Sequence, residues 1–370
     1  MELSELIWFL PWLFIFSNSL ILGLLFITVK SKNKRANIYL GFFLWSIVVQ
    51  IFNDFLSEFS IEEEFGYSLF VIEPFLFGLP LLFFYLLATI NKEIKKWHYL
   101  LFLPGIFHNV LLYTEGFFLE ESSITIYEAN VYLLEIILIV YAYIVLQNHC
   151  NSIVNFYSNL ENKTLTWLKR IFALNILIHF LNISTFIFDL SNIEIIELSI
   201  DLTALGLTVF MIFWIAYNGF SQPEIFSQRH FLRNDENMSV ERSNPNEVQK
   251  NNSEEDTIKF NKIKTQIQKE ELFIDPKLNL NSLSEALDLK EKELSRLIKE
   301  CSDVNFYQFV NSFRVEKFKK LLASKRAQQL SLLGLANEAG FPSKSTFYSV
   351  FKAFEGMTPK QYQESLNKSK

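Results

Sequence analysis

The side chains with the clearest chemistry lie in the last hundred residues of this 370-residue sequence, on one side of a predicted helix. In the segment Lys290–Cys301, Leu294, Leu297 and Ile298 fall within an arc of about 100°. The opposite arc carries polar and basic side chains, namely Lys292, Ser295, Arg296 and Lys299. Lysine and arginine neutralise phosphates, and arginine can donate two hydrogen bonds to guanine. The pattern predicts a helix that presents this face to DNA.

A second helix of the same kind is predicted from Ser343, which can cap it, to Phe354. Its buried arc would hold four apolar side chains: Phe347, Val350, Phe351 and Phe354. Its exposed arc would hold Lys344, Ser345, Tyr348, Ser349 and Lys352. Across both faces Arg296 is the expected base reader, with a phosphate contact or a surface salt bridge as the alternative. Lys344 and Lys352 are expected to contact phosphates, which position a protein without specifying sequence.

Three further helices are predicted to position these two faces. The short helices Leu280–Leu287 and Leu332–Ala339 precede them, and Gly340 ends the second because glycine tolerates a left-handed turn. Each pair forms a helix, a brief turn and a helix, the arrangement that enters a major groove. Between the pairs, Asn305 caps a helix Phe306–Ser324 about 28 Å long. Such a helix could hold two recognition helices about one turn of DNA, roughly 34 Å, apart.

Six short motifs run through residues 272–370, which carry 16 Lys+Arg against 11 Asp+Glu: Asp275–Leu280, Leu294–Ile298, Asn305–Phe309, Asn311–Val315, Gly340–Phe347 and Phe351–Pro359. The closing Gly356-Met-Thr-Pro359 is specific, and together the motifs resemble the DNA-binding domain of AraC-type transcription regulators. The resemblance implies an all-α domain of seven helices with two helix-turn-helix units. It also implies double-stranded DNA and RNA polymerase as partners, and usually activation of transcription.

Three positions depart from the pattern of that family. Ser349 stands where the second recognition helix commonly has arginine, Asp303 replaces a glycine, and Lys290 replaces a frequent capping serine. Aspartate tolerates the left-handed region at some cost. The second recognition helix is therefore expected to depend more on its lysines than on base contacts.

The rest of the chain differs in charge and in hydrophobicity. Residues 1–220 carry 10 Lys+Arg against 19 Asp+Glu, whereas residues 221–370 carry 24 against 21. A membrane-spanning helix needs about 20 mostly apolar residues. Seven segments are predicted to span: Leu6–Val29, Asn37–Phe55, Leu69–Ile90, Tyr99–Tyr113, Val131–Leu146, Ile171–Phe188 and Leu198–Phe220. The fold class predicted is all-α, with a seven-helix membrane bundle followed by the seven-helix DNA-binding domain.

The charges between these segments predict the orientation of the chain. Lysine and arginine occur in alternate connections only, at 30–35, 91–96 and 163–170. Basic residues mark the cytoplasmic side. The sequence thus predicts a multi-pass protein of the bacterial cytoplasmic membrane, with the N-terminus outside and everything after Phe220 in the cytoplasm.

Several ionisable residues fall within the predicted spans: Glu73, His108, Glu135, His179 and Asp201. Charge inside a bilayer is costly and by default marks a ligand site or pathway. The alternative is that these groups pair between helices, lie near the interface or are protonated. The sequence has no phosphate loop, zinc-protease motif or nucleophile elbow, so no catalytic residue, metal or cofactor is predicted, and the chain is not expected to be an enzyme.

The predicted division is a sensor domain at 1–220, a flexible linker at 221–256, and an amphipathic helix with the DNA-binding domain at 257–370, whose core is 272–366. The helix Asp256–Phe273 could pack within its own chain or dimerise with a second copy. The sequence therefore predicts a membrane-bound regulator that binds DNA under control of an unidentified signal. The alternative is a membrane transporter or channel with a regulatory DNA-binding domain. The signal is expected to act by ligand-shifted dimerisation through the apolar stripe of the helix Asp256–Phe273, with shifted contacts to the DNA-binding domain or proteolytic release as the alternatives.

Overall fold

The computed structural model describes residues 3–31, 33–58, 74–114, 121–161, 163–189, 194–221 and 253–368. Over these residues the protein is all-α, with fourteen α-helices and one isolated β-bridge. The all-α class predicted from the sequence is confirmed. The chain forms two compact units, residues 1–147 with 165–233, and residues 148–164 with 234–370.

The first unit contains seven of the described α-helices. In chain order they are α1 (Leu3–Thr28), α2 (Lys34–Glu58), α3 (Phe75–Thr89), α4 (Leu103–Thr114), α5 (Glu121–Ile153), α6 (Thr166–Asp189) and α7 (Glu194–Ser221). Each predicted span overlaps one of them. Four contain segments long and apolar enough to cross a membrane, by length and composition: Leu10–Thr28, Lys34–Asn53, Leu133–Ile153 and Leu202–Ser221. The count of seven crossings stays a prediction.

Close helix packing and an apolar surface characterise this unit. A Cβ on Gly41 would lie 2.8 Å from the backbone oxygen of Gly23, so α1 and α2 approach at small residues, as membrane helices commonly do. Along α5, large aliphatic side chains are 50–55 % exposed: Leu133, Leu134, Ile136, Ile137, Val140 and Ile144. Water would solvate such a surface poorly.

The predicted intramembrane ligand residues are only partly described. His108 and Glu135 are buried within the first unit, at 4 % and 8 % exposure. Glu73 lies outside the described residues, and so do the side chains of His179 and Asp201. The linker residues 222–252 also lie outside them.

The second unit contains the other seven described α-helices, six of them beginning within the predicted core 272–366 and one, α8, before it. They are α8 (Ser253–Lys269), α9 (Leu280–Ala286), α10 (Glu291–Ser302), α11 (Phe306–Leu322), α12 (Leu332–Glu338), α13 (Lys344–Glu355) and α14 (Pro359–Lys368). Short polar side chains begin four of them, because Asn279, Asn305, Ser331 and Ser343 each accept a hydrogen bond from a backbone N–H of the first turn.

Packing in this unit favours one alternative and corrects one expectation. The apolar stripe of α8 is buried within its own chain, with Phe260, Ile263 and Ile267 at 7 %, 5 % and 1 % exposure. That face is therefore already covered, and only Ile258, at 58 %, stays exposed. Phe354, predicted to be buried, is 41 % exposed, because it lies in the last turn of α13, beyond the core formed by Phe347 and Phe351.

Residues 148–164 belong to this second unit, although in the sequence they connect predicted spans five and six. They comprise the last turns of α5 and the connection toward α6. Tyr157 forms the isolated antiparallel bridge with Asn279, at the start of α9.

Candidate DNA-binding interface

The first recognition helix, α10, has the two-sided character that its sequence predicts. Leu294, Leu297 and Ile298 are buried at 0–2 %. The predicted DNA-facing set lies on the other arc, with Lys292, Arg296 and Lys299 exposed and Ser295 half-buried. Lys290 begins the helix without a side-chain cap, and Asp303 ends it in the left-handed region at φ 53°. The departures from the family pattern are therefore accommodated without loss of the helix.

Arg296 is held by two carboxylates. Its Nη1 and Nη2 donate to Oδ2 and Oδ1 of Asp256 at 2.7 and 3.0 Å, and Nη1 also donates to Glu300 at 2.7 Å. The side-chain hydrogen bond lowers the pKa of Asp256 and raises that of Arg296. Asp256 lies in the first turn of α8, so the expected base reader is engaged by another helix of its own unit.

The second recognition helix, α13, also separates its faces. Ser343 accepts from Thr346 N at 3.2 Å and Gly356 ends the helix at φ 73°. Phe347, Val350 and Phe351 are buried at 0–2 %. Four of the predicted contact residues are exposed, namely Lys344, Ser345, Ser349 and Lys352. The fifth, Tyr348, is half-buried.

Two contacts on α13 affect its outer face. The Lys344 ammonium lies 5.7 Å from the centre of the Tyr348 ring, a cation–π distance, so Tyr348 steadies a lysine in the first turn. Ser345 Oγ lies 3.4 Å from Oε1 of Glu161, which belongs to segment 148–164. A carboxylate thus stands beside the N-terminal turn where a phosphate would be favoured.

The long helix α11 holds both recognition helices. On one side Phe318 contacts Phe347 and Phe351 of α13, with ring centres 4.7 and 5.3 Å apart. On the other side α11 packs against α10. Gly340, at φ 93°, sets the turn into α13, and a Cβ there would lie 2.7 Å from Ile274 Cα. The turn therefore requires glycine both for its backbone angle and for space.

Arg314 of α11 is a residue that the sequence reasoning missed. It is fully buried, and its guanidinium carries five N–H donors. Nε donates to Phe273 O at 2.8 Å and Nη2 to Asp275 O at 2.7 Å. Nη1 donates to Asn311 Oδ1 at 3.2 Å. Nη1 and Nη2 also donate to Ser158 O and Oγ, at 3.3 and 3.1 Å.

Burial lowers the pKa of Arg314 to about 10, which leaves it charged at neutral pH. A buried cation needs compensating partners, and neutral oxygens supply the hydrogen bonds here. The sequence contained a signal for this site, because Arg314 stands in the apolar pattern of α11 between Phe313 and Val315.

Two helix-turn-helix units on one linking helix define a DNA-binding domain, and comparison with known families agrees. The family model described as a helix-turn-helix domain matches residues 283–365. The chain is 36 % identical over 93 residues to an uncharacterised HTH-type transcriptional regulator of Staphylococcus aureus strain COL. It is 29 % identical over 90 residues to the melibiose operon regulatory protein of Escherichia coli K12. Residues 283–365 therefore belong to a helix-turn-helix domain, in agreement with the AraC-type resemblance of the sequence.

These similarities are confined to that domain. The match to the staphylococcal protein covers 25 % of this chain and 12 % of that protein. The match to the melibiose regulator covers 24 % of this chain and 29 % of that protein. No solved structure matches the chain significantly.

Proposed function

We propose that the protein is a membrane-bound one-component transcription regulator. The observation that carries the proposal is the pair of recognition helices fixed to α11, in the region that matches the helix-turn-helix family. The relatives that share this region are named as an HTH-type transcriptional regulator and an operon regulatory protein, which supports a role in transcription. The finer function assigned here is sequence-specific binding of double-stranded DNA under control of the N-terminal helices.

Several features support the membrane location. Four segments have the length and composition of spanning helices. The half-exposed aliphatic residues of α5 are suited to contact lipid, and basic residues occur only in alternate connections. The proposed arrangement is a multi-pass protein of the bacterial cytoplasmic membrane, with the N-terminus outside and residues 257–370 in the cytoplasm.

The N-terminal helices would act as the sensor. The buried His108 and Glu135 are the described side chains most suited to a polar signal within the bundle. A ligand can shift the regulator only by binding one of its states more tightly than another.

On α10, Arg296 is the proposed base reader, with Lys292, Ser295 and Lys299 around it. On α13, Lys344 and Lys352 would bind phosphates, while Ser345, Tyr348 and Ser349 face the groove. An arginine paired with guanine contributes about 1–3 kcal/mol of discrimination. The Arg296→Ala variant should therefore lose preference for its own sites, not only affinity.

Crosslinking and sequencing of DNA bound to the tagged full-length chain in its own cells tests the proposal. Discrete peaks at promoters are expected. Arg296→Ala should reduce the sequence preference of the DNA motif found under these peaks. Arg326→Ala is the matched control, since it removes the same charge from an exposed arginine outside both recognition helices. An absence of peaks from the full chain would refute the proposal. Equal weakening on all sequences by Arg296→Ala would refute the base-reading role alone.

A further inference from the structure

Segment 148–164 is closed on itself where it leaves α5 and approaches α6. His149 Nε2 lies 3.0 Å from Lys163 O, and Cys150 Sγ donates to Thr164 O at 3.2 Å. Lys163 donates to Asn159 O and lies 5.0 Å from the centre of the Tyr157 ring. The two ends of the segment are therefore joined to each other.

The middle of the segment pairs with the backbone that begins α9. Ser158 N donates to Leu278 O at 3.3 Å, and Leu280 N donates to Phe156 O at 2.9 Å. Ser158 Oγ donates to Leu278 O as well. This is recognition by strand pairing, in which main-chain hydrogen bonds supply affinity. Ile153, Phe156 and Ser158 are buried at 2 %, 9 % and 0 %.

The segment also contacts α11, the helix that holds both recognition helices. Tyr307 N, in the first turn of α11, donates to Val154 O at 3.0 Å. Helix N-termini leave such donors without partners in the helix. Ser158 O accepts from Asn311 Nδ2 at 3.1 Å, and the serine satisfies two N–H groups of the buried Arg314. Withdrawal of the segment would leave these donors to find other partners.

We propose that segment 148–164 is the intramolecular partner through which the N-terminal helices control the DNA-binding domain, and that the docked form has low affinity for DNA. The proposal rests on the proposed function, because it needs a sensor and a DNA-binding domain in one chain. The docked segment holds α11 through Val154, Ser158 and Arg314, and the chain continues from its two ends into α5 and α6. Docking also places Glu161 beside Ser345, where a carboxylate repels the phosphate that the helix N-terminus would attract.

The first test compares DNA affinity of full-length variants in lipid nanodiscs, with a labelled fragment taken from a promoter peak. Ser158→Arg places a bulky cation against Arg314 and should undock the segment. Asn155→Arg is the control, because Asn155 lies in the same segment with its side chain exposed. Coupling between sites is typically worth fivefold or more. Ser158→Arg should therefore tighten specific binding by about fivefold or more over Asn155→Arg.

The second test fixes the docked form without a bulky substitution. Opposed residues of an antiparallel bridge have Cβ atoms about 5 Å apart, so Tyr157→Cys with Asn279→Cys can be crosslinked. Cys150→Ser and Cys301→Ser remove the native thiols. The oxidised protein should bind DNA about fivefold or more weakly than the same protein after reduction. Each single-cysteine variant should show no change on reduction.

The outcomes separate this proposal from the proposed function. Control through the segment is overturned if the wild type binds specific DNA and Ser158→Arg binds it no more tightly than Asn155→Arg. It is also overturned if the oxidised and reduced forms of the crosslinked protein bind DNA equally. If Ser158→Arg fails to fold, the reversible crosslink decides alone. Absence of specific DNA binding from the wild type, from Ser158→Arg and from the reduced double-cysteine protein alike overturns the proposed function instead.

Discussion

Neutralising Asp256 should strengthen DNA binding, because this carboxylate holds Arg296 in the DNA-free protein. Two hydrogen bonds, at 2.7 and 3.0 Å, must break before the guanidinium can reach a base edge. The two side chains are 18 % and 42 % exposed, so water screens the pair. Exposed ion pairs are weak, and Glu300 still contacts Arg296. Asp256→Asn should therefore tighten specific binding by about two- to fivefold, at the level of such a pair.

The measurement is fluorescence anisotropy on the full-length chain in nanodiscs, with specific and scrambled DNA over a series of salt concentrations. Glu255→Gln is the matched control, because it removes one negative charge from the same first turn of α8. Both substitutions change the general attraction for phosphates equally, so the excess effect of Asp256→Asn reports the release of Arg296. That excess should be larger on specific than on scrambled DNA.

The Arg296→Ala background supplies the decisive comparison. In that background Asp256→Asn should increase DNA affinity no more than Glu255→Gln does, because the ion pair between Asp256 and Arg296 no longer exists. Equal effects of Asp256→Asn and Glu255→Gln in the wild type would refute the reasoning. An excess that survives in Arg296→Ala would refute it as well, because Asp256 would then act through another group.

Two further predictions concern the second helix-turn-helix unit. Gly340→Ala should lower the free energy of unfolding of the domain by more than about 1 kcal/mol, because Gly340 has φ 93° and the added Cβ would collide with the backbone of Ile274. Hydrogen exchange of the α13 and α11 amides measures this loss. Lys352→Ala should weaken specific and scrambled DNA alike and lower the salt slope by about one, whereas a change in sequence preference would contradict a phosphate role.

The sequence predicted best the features that depend on neighbours along the chain. The helical period separated Leu294 and Leu297 from Arg296, because burial of one face repeats every 3.6 residues. The caps at Asn305 and Ser343 and the left-handed turn at Gly340 followed from local backbone chemistry. Phe354 was misjudged because the period extends to the end of a helix, whereas the core need not.

Contacts between distant segments could not be predicted in this way. Ser158 and Arg314 are 156 residues apart, and nothing in the helical period indicates that they meet. Arg296 was expected to face DNA or form a surface salt bridge, but its partner Asp256 stands 40 residues earlier. Such pairs are selected by packing of whole helices, so they require the structure.

The docked segment also distinguishes the routes by which a signal could reach the domain. The apolar stripe of α8 is buried in its own chain, which removes the reason for dimerisation through it. Cleavage of the linker 221–256 would cut one connection only, because segment 148–164 would still hold Leu278 and Arg314. Shifted contacts are therefore the route that the geometry favours over proteolytic release.

That preference can be tested with a protease site inserted in the linker. After cleavage in isolated membranes, the DNA-binding domain should remain in the membrane pellet, held by the backbone pairing at Ser158 and by Arg314. In the Ser158→Arg variant the same cleavage should release it to the supernatant, while Asn155→Arg should retain it. Release of the wild-type domain to the extent seen with Ser158→Arg would mean that the linker alone tethers it, and proteolytic release would become the better account.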